Sequence, residues 1–333
     1  EYGWDIGPEN IAITNGSQSA FFFLFNMFSG TFSQPGKEPL KKTVVFPLVP
    51  EYVGYADQGI EKDTFVGIPA KCVYYPDNTF KYFINFDALE TYLEKHREVG
   101  AMCVSRPTNP TGNVLTNDEI RHLSAFAYKY NIPLFVDNAY GLPFPNIIFT
   151  EDAKPYWDSS VILSMSLSKI GLPSLRTGIV VAKPELIKAL ASVNSIVALA
   201  SGSLGQVISQ DLFATGKMKT LAESYVRPFY QQKSLFAQNC FKEFFAGTNY
   251  SVHKSEGAIF NWILMNDLKI PTKELYVKLK DQGVITVPGE YFFFGTPEHE
   301  HYDKCLRINY SRPEDEVREG IRIIAETYKK FCK

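Results

Sequence analysis

The sequence predicts an α/β protein: a mostly parallel central sheet sandwiched by helices, followed by a smaller C-terminal domain of α+β type. Short apolar runs of strand length alternate with stretches of helical period along the first two thirds of the chain. Several of these runs end in a polar residue, at the place where open parallel sheets hold their ligands. The alternation then changes character, which sets a domain boundary near 220 and gives units 1–220 and 221–333.

Val44–Phe46, Ala101–Ser105, Pro133–Asp137, Val161–Met165 and Gly178–Ala182 read as buried strands. Between two of them, Thr116–Tyr130 carries Ile120, Leu123, Ala127 and Tyr130 on one helical face, with Asn117 as a cap and Asp118 and Glu119 in the first turn. Strand, helix, strand at this spacing implies parallel pairing. Residues 217–246 read as one long helix broken or bent at Pro228, whose nitrogen has no hydrogen to give. Beyond it, Gly257–Leu264, Val284–Val287 and Cys305–Asn309 look like strands, and Lys273–Gln282 like a helix stopped by Gly283. The last helix starts near Pro313 and buries a stripe of Val317, Ile321, Ile324, Tyr328 and Phe331. There are no repeats and no low-complexity segments.

Composition narrows the function classes. The chain has 333 residues, is 45% hydrophobic and carries a net charge of −2, with both signs interspersed. That argues against nucleic acid or an anionic membrane as partner. The longest apolar run, Ala20 to Phe25, is far below the ~20 residues of a membrane span. The five cysteines, at 72, 103, 240, 305 and 332, show no CxxC spacing, so reduced thiols and a cytoplasmic location are expected. No signal peptide is visible. The sequence opens without Met, and Glu1-Tyr2-Gly3-Trp4 runs straight into fold-like sequence, so the natural protein is expected to continue upstream.

Chemistry-bearing residues gather at strand ends. Thr14-Asn15-Gly16-Ser17-Gln18 leads into the apolar helix Phe21–Phe28, and the free N–H groups of its first turn suit a phosphate, with Ser17 and Gln18 adding donors. Taken alone, this is equally an ordinary helix cap. Arg106-Pro107-Thr108-Asn109-Pro110 is a rigid turn after a strand, and a cis Asn109–Pro110 bond would aim the Asn109 side chain into the site. Asp137 ends an apolar strand, where a carboxylate needs a cation such as a pyridinium nitrogen; Tyr140, three residues on, can donate to a ring oxygen. Lys169 sits in Ser166-Leu167-Ser168-Lys169 with Arg176 after it. Burial and the nearby cation would lower the lysine pKa, while Ser166, Ser168 and Arg176 grip a phosphate. Arg307, in an apolar strand, calls for an anion such as a substrate carboxylate, a structural ion pair being the competitor. Tyr52 could stack on a pyridine ring, with Tyr55 the weaker candidate. His299-Glu300-His301 has metal-ligand residue types but lies in a polar segment, so a solvated loop is expected and no metal.

Taken together these residues resemble the fold type I pyridoxal phosphate (PLP) aminotransferases. The matching pieces are TNGSQ, Pro-x-Tyr, SRPTNPTGN, VDNAYG, SLSK with Arg176, and LRINY, in the family's order across residues 14–310. Longer stretches, such as FPLVPEYVGYAD (46–57) and DNAYGLPFPNIIF (137–149), resemble the branch that exchanges an amino group between valine or alanine and pyruvate or 2-oxoisovalerate. The resemblance implies pyridoxal 5'-phosphate joined to Lys169. It gives the ring nitrogen to Asp137, the ring oxygen to Asn109 and Tyr140, and stacking to Tyr52. The phosphate goes to Gly16, Ser17, Gln18, Ser166, Ser168 and Arg176, and the substrate carboxylate to Arg307, with Asn109 beside it. It also implies a homodimer with sites at the interface. Family members carry an N-terminal arm and lid ahead of the first phosphate turn, which the resemblance therefore places upstream of Glu1 if the natural protein has it. The alternatives are another PLP reaction, β-elimination or decarboxylation, and an aminotransferase-like ligand-sensing domain of a transcription regulator.

Overall fold

The computed structural model describes residues 2–296 and 299–332. Its larger sheet runs Ile11–Thr14, Gly178–Val181, Val161–Ser166, Leu134–Asp137, Val99–Ser105, Leu40–Val49 and Gly30–Phe32, with Phe65–Pro69 also paired to Leu40–Val49. The pairings from Phe65–Pro69 through Leu40–Val49 to Val161–Ser166 are parallel; Gly178–Val181, Ile11–Thr14 and Gly30–Phe32 join antiparallel. Every residue of Val99–Ser105 and Leu134–Asp137 is buried. Strands covered on both faces read as continuous apolar runs, which made them visible in the sequence. The core beneath includes Phe21 and Phe25 of the helix Ser17–Phe28, packed with Phe46 and Phe135.

Register decides where the functional groups go. Ser105 lies opposite Asp137, and Asp137 opposite Ser164, so three parallel strands end level with one another. The turn Leu167–Ile170 follows directly and carries Lys169 to the same edge.

A second sheet has the order Val287–Pro288, Cys305–Asn309, Phe260–Met265, Tyr250–His253, Thr79–Phe83 and Lys71–Tyr74. It draws strands from both ends of the chain, Tyr250–His253 lying parallel to Thr79–Phe83. The helices Arg227–Phe244, Thr272–Lys280 and Glu314–Lys330 pack with it through Phe241, Leu275, Ile321 and Tyr328. Among the described residues no helix is long and apolar enough to cross a membrane.

Several expectations need correction. Thr116, not Asn117, caps the helix Asn117–Tyr130, in a reciprocal box with Glu119; the Asn117 side chain instead accepts from Arg106 and from the Lys154 N–H. The bond before Pro107 is cis, whereas the Asn109–Pro110 bond is not. The strand expected at Val284–Val287 shrinks to Val287–Pro288, because the Val284 N–H closes the preceding helix on Leu279 O at 3.0 Å. The strand expected from Gly257 begins at Phe260, since Ala258 has a left-handed φ of 59°. The long helix is continuous through a π-turn at Ala222–Val226, just ahead of Pro228, where the missing proline N–H is absorbed by a wider turn. His301 is not solvated. It is buried, with Tyr74 Oη 2.8 Å from Nε2 and Tyr82 Oη 2.6 Å from Nδ1.

Candidate active site

A cavity of about 530 Å³ opens where the level strand ends meet the second sheet. Ser17, Gln18, Tyr52, Asn109, Asp137, Tyr140, Ser166, Ser168, Lys169, Arg176 and Arg307 all line it. They come from six separate stretches of sequence, and the volume suits a small organic ligand. Gly16 lies just behind the wall. With φ of 84° it turns the chain into the helix, and a Cβ there would stand 2.2 Å from Arg176 Nη2, so glycine is what lets the guanidinium lie over the helix start. Arg176 itself takes a left-handed φ of 44° and donates to Ser168 Oγ at 3.3 Å and Pro173 O at 3.2 Å. The side chains of Ser17 and Gln18 are already spent, on Met165 O and Gly54 O at 3.0 Å each. That corrects the expectation of extra side-chain donors: the turn chiefly offers backbone N–H groups.

The charges are arranged around a gap. Asp137 is buried; its Oδ2 accepts from Tyr55 Oη at 2.5 Å and its Oδ1 from the Ala139 N–H at 2.9 Å. Burial pushes its pKa up, against those two bonds and the Lys169 charge. Burial likewise pushes the Lys169 pKa down. Asp137 opposes this, and Arg307 and Arg176 assist it. Lys169 Nζ sits 5.3 Å from the centre of the Tyr140 ring. Arg307 donates from Nη1 to Asn109 Oδ1 at 2.8 Å and lies 4.4 Å over the Phe260 ring. Among the described residues neither Arg307, Arg176 nor Lys169 has a carboxylate ion-pair partner. Three cations are therefore left facing one cavity, a poor arrangement for a closed core and a suitable one for an anionic ligand.

A family model described as aminotransferase class I and II matches residues 61–324. The chain belongs to this family. Over 325 residues the aminotransferase is 44% identical to the valine–pyruvate aminotransferase of Escherichia coli (strain K12), covering 97% of this chain and 76% of that protein. The crystal structure of valine–pyruvate aminotransferase from Salmonella typhimurium superimposes with a TM-score of 0.89 at 44% identity, covering 98% of this chain and 80% of that one. Aromatic-amino-acid aminotransferase 1 of Thermococcus litoralis is 30% identical over 262 residues, 75% of this chain and 60% of that protein.

The cofactor of this aminotransferase is pyridoxal phosphate, and the cavity fits it on its own terms. The Gly16 turn, closed to any side chain by Arg176, leaves backbone N–H groups and a guanidinium for a phosphate. Asp137 supplies a desolvated carboxyl for a ring nitrogen, and Lys169 an amine of lowered pKa for an aldehyde.

Two roles here escaped the sequence reading of the site, in which Tyr55 is only the weaker stacking candidate and Glu51 is not singled out. Tyr55 does not line the cavity; it is fully buried behind Asp137 and braces it, with its ring edge-on to Tyr52 at 5.0 Å. Tyr52 is the tyrosine whose ring reaches the cavity. Glu51 is buried too, and accepts the Tyr52 N–H at 2.8 Å. No spacing rule ties Tyr55 to Asp137, 82 residues away, so the signal was absent from the sequence.

Proposed function

We propose that this aminotransferase exchanges the amino group between valine or alanine and pyruvate or 2-oxoisovalerate. The observation that carries the reading is the single cavity shared by Lys169, Asp137, Arg176 and Arg307. The similarity to valine–pyruvate aminotransferases supports the substrate pair. Incubating the protein with PLP, valine and pyruvate is expected to yield alanine and 2-oxoisovalerate. Carbon dioxide or ammonia as the product overturns the reading.

When bound, pyridoxal phosphate supplies an aldehyde carbon for the amino group and a ring that takes up electrons from Cα. The protein's own residues do the rest. Arg176, Ser166, Ser168 and the helix-start N–H groups of Ser17 and Gln18 hold the phosphate, while Gly16, its own N–H bonded to Thr14 O, supplies the turn. Asp137, braced by Tyr55, keeps a proton on the ring nitrogen; Asn109 and Tyr140 hold the ring oxygen; Tyr52 covers a ring face. Arg307 clamps the substrate carboxylate with its planar fork, oriented by Asn109. Lys169, its pKa lowered by burial and flanking cations, takes the proton from the substrate Cα.

The boundary near 220 divides two units, with the hairpin 71–83 lent by the first to the sheet of the second. A second copy of the chain covers the exposed apolar side chains Ile196, Val197, Leu199, Leu204, Val207 and Ile208. That face adjoins the phosphate corner, where the Gly202 N–H donates to Asn15 Oδ1 at 3.3 Å. Light scattering is expected to return a dimer mass.

A further inference from the structure

Glu51 lies in the turn between Leu40–Val49 and Tyr52, out of reach of the cavity. Its side chain is enclosed, 1% exposed, and among the described residues it pairs with no cation. Its oxygens collect donors from two different elements. Oε1 accepts the Tyr52 N–H at 2.8 Å, and Oε2 accepts the Ser105 N–H at 2.9 Å. The Ser105 hydroxyl also bonds to Oε1. The Glu51 N–H in turn donates to Phe292 O at 3.0 Å. Both Tyr52 and Ser105 line the cavity, and Ser105 is the strand partner of Asp137.

We propose that Glu51 is a positioning residue of the transamination site: its carboxyl clamps the Tyr52 turn to the Ser105 strand end and so sets the plane of the tyrosine ring over the cofactor pocket. The proposal rests on the reading of the cavity as a PLP site. Chemistry explains why an acid stands here despite the cost of burying it. Each carboxyl oxygen receives a backbone N–H, and no other side chain of this length offers two acceptor oxygens. An amide at 51 has one oxygen, so its NH2 group would face either the Tyr52 or the Ser105 N–H, and one side of the clamp must open. Burial and the neighbouring Asp137 charge push the Glu51 pKa up to about 8, against its three hydrogen bonds.

The test uses the PLP-loaded protein. Visible circular dichroism of the bound cofactor and its dissociation constant are measured for wild type, Glu51→Gln, Tyr52→Ala and the double variant. Glu51→Gln is expected to weaken PLP binding about tenfold, comparable to losing one buried hydrogen bond, and to diminish the dichroism. In the Tyr52→Ala background the same change is expected to add little, because the two act as one unit. Unchanged affinity and dichroism in Glu51→Gln, or an undiminished effect in the double variant, overturns the proposal. If Glu51→Gln does not fold, Ser105→Ala decides: it removes the hydroxyl contact alone and is expected to shift both readouts the same way by less, and no shift overturns the clamp. Failure of the wild type to bind PLP is a separate outcome; it sinks the reading of the cavity and the clamp with it.

Discussion

The second sheet and the carboxyl edge of the first both bury charge, but they meet it differently. Around Thr79–Phe83, Lys81 pairs with Glu256 at 2.6 Å and also donates to Val114 O, while Glu256 accepts the Val114 N–H. His253 accepts the Tyr82 N–H at 3.1 Å, and His301 is held between Tyr74 and Tyr82. Each group there has its partner within the chain. At the cavity, Lys169, Arg176 and Arg307 face open space without a carboxylate partner among the described residues, and Asp137 is held by a phenol and an N–H. Partnered charge fixes one fold, whereas charge left facing a gap is stability forgone for a ligand.

The hardest test of this contrast is Lys169→Ala. We expect turnover with valine and pyruvate to fall on the order of 10⁴-fold, the full range of positioned proton transfer. The melting temperature of the cofactor-free protein should hold or rise, because a half-buried amine without a carboxylate partner has been removed. Steady-state alanine formation and calorimetry check the two halves; near-normal turnover ends the assignment of Lys169. Lys81→Met should do the reverse. It strands the Glu256 carboxylate, which is only 14% exposed, at a cost of about 3 kcal/mol of stability, the lower end for a buried pair. The melting temperature drops, while turnover per folded molecule stays close to wild type. A melt that does not move would place Lys81 outside the structural cluster.

The two regions were unequally legible in the sequence. Asp137 ends an apolar run, Asn109 and Lys169 each stand four residues past one, and Arg307 interrupts one, so their place at the strand ends could be inferred from local pattern. The strand Lys71–Tyr74 has one side chain of intermediate burial and is otherwise exposed, so it offers no alternation to detect. It is defined by its antiparallel partner Thr79–Phe83, which in turn depends on Tyr250–His253 more than 160 residues later. His301 was assigned to solvent for the same reason: Gly295 and the charged neighbours look like a loop, and the enclosing rings of Tyr74, Phe80 and Tyr82 come from that distant hairpin. Glu51 meets Ser105 across 54 residues, and a lone glutamate in a turn has no pattern that announces burial.

Acid and alkali should separate the regions by opposite signs, with the smallest effect of the three. His253 and His301 are held neutral by burial, their pKa values pushed down to about 3. An unfolded chain protonates them below about 6.5, so between about pH 6.5 and 3 the unfolded state binds more protons and stability falls as the pH drops. Glu51 runs the other way. Its pKa of about 8 in the fold exceeds the 4.5 of a free carboxyl, so between those values the folded state holds a proton that the unfolded chain has lost. Its contribution is fully present below pH 4.5 and fades as the pH rises toward 8. The melting temperature of the cofactor-free protein should therefore decline toward both ends. Glu51→Gln should flatten the alkaline limb while leaving the acid limb, and His301→Gln should do the converse. Parallel curves for wild type and Glu51→Gln between pH 5 and 8 would mean that the carboxyl is ionised throughout, and that the clamp beneath Tyr52 carries a full charge.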